Sequence, residues 1–509
     1  MPRYAAVDIG SNSVRMMAAD VSPETTRILA EERQVTRLGE SVFQTGNVSA
    51  EALSSLCTVV GRMAAVYQKF DVLGVRAVAT SAVRDAGNQQ EFVERVSAAL
   101  GTPVEIISGQ EEARLIHLGV EARWARPKER TLIIDVGGGS AELIVSQYGE
   151  IVDAISRPLG AIRLKELFLT TDPPTPSDIL RLGQYIEEKL APFAKKHGDT
   201  RFDRVVATSS TAAALVCAVN SIPRAQRDMA DRVRASTARI RSFYELLVKE
   251  DVNERGRWVG IGPRRAEIIV GGAAVFLRSL KAFHHNSLYY SSAGVRDGII
   301  ADLAGRRVGM ELSTLSREER TVVEAMAKRY GTPLKHVRKV ASLSLRLFEF
   351  THSLHQLPPA SGKLLEAAAY LHDIGHFVSD TSHHKHSAYL VANSDLPGFR
   401  ERERLTIAAI CRFHRKSMPQ VRHSHFQALD AESKRIVLYL TPLLRLADSL
   451  DRSHEQKVKD VQVSLKNGTA VLLIGADADA DLEIWAASEV APAFRDVYSL
   501  NVAVQKMKL

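Results

Sequence analysis

The chain has 509 residues, 45% hydrophobic and 25% charged, with a formal net charge of +8 and a pI near 9.3. That length exceeds what one hydrophobic core serves and predicts three or four domains, while the ordinary composition excludes a disordered or fibrous chain. Cys57, Cys217 and Cys411 lack metal or redox spacing, which excludes a disulfide framework, and the apolar run at residues 268–277 is too short and glycine-rich to span a bilayer.

The first segment goes straight into strand-like sequence without a signal-peptide pattern, so a cytoplasmic protein is expected. Apolar runs at 5–8, 14–20 and 27–35 predict three strands. A helix is predicted over 50–70, a buried strand over 74–79, a helix over 89–100 and a strand over 104–107. From residue 131 the pattern restarts, with a strand at 205–207, the small-residue turn TSSTAAAL entering a helix, and further apolar runs at 268–277 and 288–290. This alternation predicts an α/β core. Near Arg306 the texture changes. Ser316 and Glu319 form a capping box before an amphipathic helix over 321–330, and apolar spacing at 340–348, 364–371, 405–411 and 436–450 predicts an all-helical region. The tail predicts a hairpin turning at Asn467-Gly468, a helix over 481–497 and a last strand over 501–506.

Two stretches of the α/β region copy one another. YAAVDIGSNSVR at residues 4–15 and LIIDVGGGSAE at 132–142 align Asp8 with Asp135, Gly10 with Gly137, Ser13 with Ser140 and Arg15 with Glu142. An Asp at a strand end suits a divalent cation, and small residues after it let backbone N–H groups approach phosphate. The repeat predicts two related lobes facing a phosphate-binding cleft. A P-loop is excluded by the missing Gly-Lys-Ser/Thr and by the strand that follows. Thr80, Ser81 and Arg84 follow the strand 74–79 and suit phosphate. Ser108 and Glu111 read as a helix cap, which leaves Glu112 free to orient or deprotonate a water, and Glu142 could do the same or bind metal.

The order DIGSNSVR, ATSAVRDAGN, ISGQEEARLI, IDVGGGSAEL, ATSSTAAAL, IVGGAAVFL and SAGVRDG resembles the exopolyphosphatase/guanosine pentaphosphate phosphohydrolase family, within the acetate and sugar kinase–actin superfamily. The resemblance implies a two-lobed actin-like core, a duplicated ribonuclease H-like fold, over 1–125 and 126–305. A helical domain over 306–455 and a small α+β tail domain over 456–509 follow. It further implies Glu112 and Glu142 as catalytic acids and Asp8 and Asp135 as a Mg²⁺ or Mn²⁺ site, with K⁺ as a further candidate. Ser11, Asn12, Ser13, Arg84, Gly137, Gly138, Gly139 and Ser140 are its phosphate contacts. The expected activity is hydrolysis of the terminal phosphoanhydride of inorganic polyphosphate or pppGpp, in a homodimer that binds neither membrane nor specific nucleic acid sequence. Ser210 stands where the family often has Gly, so a conformational cost of about 1 kcal/mol is expected there if that position needs positive φ.

Eleven of the 16 histidines lie between His336 and His425. The order His336, His372-Asp373, Asp448 resembles an HD metal-phosphohydrolase domain and implies a second divalent metal. His376 shares a face with His372 if that helix continues, and His386 and His414 are candidate ligands for a further ion. Lys385, Arg412, Arg415, Lys416 and Arg422 would otherwise make a basic, polyanion-binding wall. Competing readings are an HD nucleotide hydrolase with a regulatory α/β core, a non-catalytic alarmone or polyphosphate sensor, and an actin-like ATPase or sugar kinase.

Overall fold

The computed structural model describes all residues except 23–24, 307–312, 467, 477–478 and 508–509. Asn467 of the expected hairpin turn therefore lies outside the described residues. The chain forms two compact units, Met1–Gly309 and Met310–Leu509.

The first unit contains two mixed sheets built on the same plan. In the first, β1 (Arg3–Ile9) pairs antiparallel with β2 (Ser13–Val21), which pairs antiparallel with β3 (Thr26–Val35). On its other side β1 runs parallel to β4 (Gly74–Ala79), which runs parallel to β5 (Val104–Ile106). In the second, β6 (Arg130–Val136), β7 (Ala141–Gln147) and β8 (Glu150–Arg157) repeat the antiparallel meander, and β9 (Arg204–Thr208) lies parallel to β6. β10 (Arg234–Ser236) and β11 (Ser287–Tyr290) extend this sheet beyond β9. The repeated motif falls in register: Asp8 opposes Arg15 and Asp135 opposes Glu142. Gly10 N–H donates to Ser13 O at 3.1 Å and Gly137 N–H to Ser140 O at 3.0 Å, closing the two hairpins alike.

Strand alternation gives each sheet two buried faces. Ala5, Val7 and Ile9 pack with Leu53, Leu56, Val60 and Phe92 of the helices Ala50–Tyr67 and Gln89–Leu100. Leu132, Ile134 and Val136 pack against Leu182, Ile186, Ala212 and Val275 of three further helices. The opposite faces share one helix, Gly109–Trp124. Its Leu115 joins Tyr4, Ala6 and Val78 of the first sheet. Its Ala113, Ile116 and Val120 join Ile133, Ile144 and Val206 of the second. Asp8 and Asp135 alternate in phase with Ala6 and Ile133, so both face this shared layer.

The helix Val295–Gly305 crosses the Gly109–Trp124 helix at backbone distance. A Cβ on Gly298 would lie 1.7 Å from the Leu115 carbonyl oxygen, and one on Gly119 would lie 2.4 Å from the Gly294 carbonyl. Buried charges brace the crossing. Arg76 of β4 donates to Glu111 and Asp302, both at 2.9 Å, and Arg114 donates to Glu111 and Asp302 at 2.8 Å each. Glu111 is thus drawn into this network, while Ser108 Oγ accepts from Glu111 N–H as the expected cap.

The second unit is helical, with Arg317–Arg329, Leu334–Phe350, Ala360–Leu371, Glu401–Phe413 and Ala431–Ser449 supplying most of one core. Its small sheet pairs β12 (Val458–Lys466) antiparallel with β13 (Thr469–Ala476), and β13 parallel with β14 (Asn501–Lys506). The single tail helix expected over 481–497 is two, Asp481–Glu489 and Ala491–Tyr498, with Pro492 in the first turn of the second. Proline suits a helix start and disfavours helical continuity into it from the preceding residue.

Gly298→Ala is expected to lower the unfolding midpoint by about 5 °C or more, because overpacking against backbone cannot relax through a side chain. Gly305→Ala, where an added Cβ meets no atom within 4 Å, is expected to stay within about 1 °C. Thermal denaturation of both variants checks this.

Candidate active site

The two hairpin loops meet. A Cβ on Gly138 would lie 3.0 Å from Ser11 Cβ and 3.2 Å from Asn12 N, and one on Gly139 would lie 2.6 Å from Ser81 Oγ and 2.7 Å from Ser11 Oγ. Only glycine allows this approach, so the second loop is shaped by the first. Ser11 Oγ accepts from Ala82 N–H at 3.1 Å, tying the loop to the short helix Ser81–Asp85. Arg163 Nε donates to Gly139 O at 2.8 Å and steadies the other side.

Between the loops opens a cavity of about 510 Å³. Of the residues expected from sequence, Asp8, Ser11, Asn12, Ser13, Glu112, Asp135, Gly137, Gly138, Gly139 and Ser140 line it, with Thr80 and Ser81. Arg84 and Glu142 are placed differently. Arg84 Nη1 donates to Ile107 O at 2.8 Å and to Glu112 Oε2 at 3.3 Å, so it braces the glutamate from behind. Glu142 is 1% exposed and accepts from Ser156 Oγ at 2.7 Å.

Four carboxylates crowd this region. Burial pushes Glu112 up to about 7, Arg84 opposing and Asp8 adding to the rise. Asp135 is also pushed up to about 7, by burial and then by Glu112. Burial raises Asp8 against the pull of Arg15 and Arg296, and burial with Glu112 and Asp135 holds Glu142 well above the usual carboxylate range. Such mutual repulsion is relieved by a cation. The donors are all oxygen, which suits a hard ion such as Mg²⁺.

The cavity also holds arginines that the sequence reading did not select. Arg15, Arg33, Arg227, Arg265 and Arg296 line it, drawn from separate segments. Arg296 Nη1 pairs with Glu31 at 2.5 Å. Among the described residues, Arg15, Arg33, Arg227 and Arg265 form no ion pair with a carboxylate; Arg15 bonds Ser210 Oγ and Arg265 donates to Thr211 Oγ1 at 3.1 Å. Burial and neighbouring arginines lower Arg33 to about 10 and Arg265 to about 9. The repeat signalled Arg15 and the motif SAGVRDG contained Arg296, but nothing local marks Arg33, Arg227 or Arg265.

The strain expected at Ser210 falls one residue earlier. Ser209 has φ +92° and begins the helix Ser209–Val219, its Oγ accepting from Thr211 N–H at 3.1 Å and Ala212 N–H at 3.3 Å. Ser210 lies within the helix, where its side chain can meet Arg15.

A second cluster lies in the second unit. Nε2 of His336 stands 3.5 Å from Asp448 Oδ1, and Nε2 of His372 stands 3.4 Å from the same oxygen. Both nitrogens are buried with no hydrogen-bond partner among the described residues. His336, His372, Asp373 and Asp448 each offer a ligand atom within 4.8 Å of the others. The helix Ala360–Leu371 ends at His372, so His376 does not continue its face; it lies in the short turn Ile374–Phe377. His383 Nε2 is 3.4 Å from Asp373 Oδ1 and His414 Nε2 is 3.5 Å from it. His386, the expected ligand, makes no such approach; it lies one turn beyond His383 on the helix His383–Ala392.

The fold and cleft define a two-lobed α/β phosphate-binding protein with an acidic centre. The chain belongs to the Ppx/GppA phosphatase family, matching it over residues 17–307, and domain III of that family over residues 318–480. It is 27% identical over 447 residues to a guanosine-5'-triphosphate,3'-diphosphate pyrophosphatase of Vibrio parahaemolyticus, covering 88% of this chain and 86% of that protein. A Vibrio vulnificus protein of the same name is 26% identical over 477 residues, covering 93% and 92%. The crystal structure of the Aquifex aeolicus family member has a TM-score of 0.54 at 28% identity, over 60% of this chain and 98% of that one. An exopolyphosphatase-like protein gives 0.58 at 28% identity, over 61% and 99%. Among the described residues no helix is long and apolar enough to cross a membrane.

The raised Glu112 predicts a pH-dependent cost of folding without divalent ions. The folded chain keeps the proton up to about pH 7, whereas the unfolded chain loses it near 4.5. The stability from this group is full below 4.5 and lost as pH rises through 7. In EDTA, Glu112→Gln is expected to gain about 2–3 kcal/mol over wild type between pH 4.5 and 7.5. Denaturant titrations at both pH values measure it.

Proposed function

We propose that the α/β unit releases orthophosphate from the end of a phosphoanhydride chain, acting on inorganic polyphosphate and on the 5' end of pppGpp. The observation that carries this reading is one cavity holding both an acid cluster and four arginines that form no ion pair with a carboxylate among the described residues. Coulombic coupling runs from Asp8 and Asp135 to Arg15, and from Arg15 to Arg33, Arg227 and Arg265. A metal-bridged terminal phosphate suits the acidic part, and the following phosphates suit the arginines. The names of the Vibrio relatives and of the exopolyphosphatase-like structure support the two substrates.

Asp8 and Asp135, with Glu142 behind them, would hold Mg²⁺ or Mn²⁺, which when bound offsets charge on the phosphate oxygens. Backbone N–H groups of the two glycine-containing loops bind the terminal phosphoryl oxygens. Glu112, held through Oε2 by Arg84, orients the attacking water and accepts its proton. A kinase must keep water out, so a general base at this position favours water as acceptor.

The second unit supports an HD-type metal site at His336, His372, Asp373 and Asp448, on the strength of the two unpartnered imidazole nitrogens. Ligand nitrogens of this kind point at a cation they can share.

Glu112→Gln is expected to cut kcat for phosphate release from long polyphosphate and from pppGpp by about 10²–10⁴-fold with KM nearly unchanged. The double variant His372→Ala, Asp373→Ala is expected to keep both activities. The reverse pattern would transfer catalysis to the second unit. Arg33→Ala and Arg265→Ala are expected to raise KM about tenfold for both substrates and to flatten its salt dependence. Phosphate-release kinetics without any added nucleotide separate polyphosphate hydrolysis from an ATPase.

A further inference from the structure

Three successive carbonyls of the second glycine loop are taken by the start of one helix. Ala161 N–H donates to Gly137 O at 3.0 Å, and the N–H groups of Ile162 and Arg163 donate to Gly138 O at 2.9 and 3.2 Å. Arg163 Nε donates to Gly139 O at 2.8 Å. These donors open the helix Ala161–Phe168, which begins against the loop: a Cβ on Gly160 would lie 2.3 Å from Gly139 N and 2.4 Å from Gly138 C. In a trans peptide the carbonyl and the N–H of the next residue point opposite ways. The amides of Gly138, Gly139 and Ser140 are therefore turned away from this helix. Residues 137–140 line the cavity and residues 161–163 do not, so the amides face it. Among the described residues none of the three amides has an acceptor, and a run of such donors suits an anion.

The first loop is supported in the same way with one difference. Gly39 N–H donates to Ser11 O at 2.8 Å, and the N–H groups of Thr36 and Arg37 donate to Asn12 O at 3.1 and 3.2 Å. Asn12 matches Gly139 in the repeat. The first copy holds that carbonyl with two backbone amides, and the second holds it with a side chain. Gly139 has no Cβ to restrain the peptide that follows it, so the aim of the Ser140 amide depends on where the Arg163 guanidinium sits. The first lobe fixes that position. Cζ of Arg163 lies 4.1 Å from the centroid of the Phe43 ring, on the helix Leu38–Thr45. Its Nη2 stands 3.4 Å from Ser81 Oγ and pairs with Asp85, both on the short helix Ser81–Asp85.

We propose that Arg163 is a positioning residue for phosphate release: it aims the Ser140 amide at the terminal phosphoryl group without touching the substrate. Phe43, Ser81 and Asp85 of the first lobe hold Arg163 in that pose. The donor set of the second loop is therefore complete only while the two lobes are in contact here.

This role rests on the hydrolase reading above, and a binding readout separates the two. Gly10-Ser11 and Gly139-Ser140 are the only Gly-Ser pairs in the chain. The full chain labelled with ¹³C at glycine carbonyls and ¹⁵N at serine therefore gives two carbonyl-correlated amide signals by nuclear magnetic resonance. The one that survives in Ser11→Ala belongs to Ser140. Orthophosphate with Mg²⁺ is the probe. The Ser140 signal of the wild type is expected to move when the probe is added. In Arg163→Ala the signal is expected to be displaced beforehand and to lose its response. In the same variant kcat for polyphosphate is expected to fall about 10–100-fold with KM within about twofold, and Arg163→Lys to recover part of kcat. Phe43→Leu, which removes only the seat of the guanidinium, is expected to change both readouts in the same direction by less, and it carries the test if Arg163→Ala fails to fold. A wild-type Ser140 signal that ignores the probe, or one that is unaltered in Arg163→Ala, would overturn the proposal. So would a raised KM with kcat kept, the mark of direct contact with substrate. The expected Ser140 behaviour in a chain that releases no phosphate would overturn the hydrolase reading and leave the positioning of the amide standing.

Discussion

The active cleft depends on the backbone contact between the helices Gly109–Trp124 and Val295–Gly305. Gly119 and Gly298 let the two helices touch, and the buried network of Arg76, Glu111, Arg114 and Asp302 holds them there. A buried ion-pair network is costly to desolvate and adds little net stability, but removing one member leaves uncompensated charge. Its effect here is to fix position. The helix it fixes packs on both sheets and carries Glu112 in its first turn. The same crossing sets the start of the Val295–Gly305 helix, from which Arg296 and Asp297 line the cavity. A buried glutamate, an arginine of the cavity and the interlobar core are therefore placed by one contact.

The site divides its labour through the difference between the two repeat copies. Arg15 follows the first loop and points to Ser210 at the helix Ser209–Val219. Glu142 follows the second and is enclosed with Ser156. One copy leads toward the arginines and the other adds to the carboxylate cluster. Ser209, at positive φ, stays in place because its own hydroxyl caps the helix it begins. The local cost of that backbone, about 1 kcal/mol or more, is offset by this capping.

Much of this was legible in the sequence where signals are local. The Asp8 and Asp135 loops could be read because strand, acid and small residues follow one another within a few positions. The helix carrying Glu112 could be read from its Ser108 cap. The arginines at 33, 227 and 265 could not, because each is an ordinary basic residue until three distant segments converge. His383 was missed for a related reason: only His384 and Lys385 separate it from His386, and no periodicity in that basic run decides which histidine faces the core. Burial decides it, since His383 is 3% exposed. The end of the helix at His372 was not legible either, and it turns Asp373 so that its two oxygens face different histidines.

The shared helix also bears on the depth of the cleft. Because Gly109–Trp124 packs on both sheets and carries Glu112 in its first turn, the acidic end of the cleft is backed by a helix that belongs to both cores. Opening the lobes at this layer would strip Leu115 from one core or Ala113, Ile116 and Val120 from the other. The depth of the cleft is in this sense fixed by the apolar packing of the shared helix, ahead of any preference expressed by its charged groups.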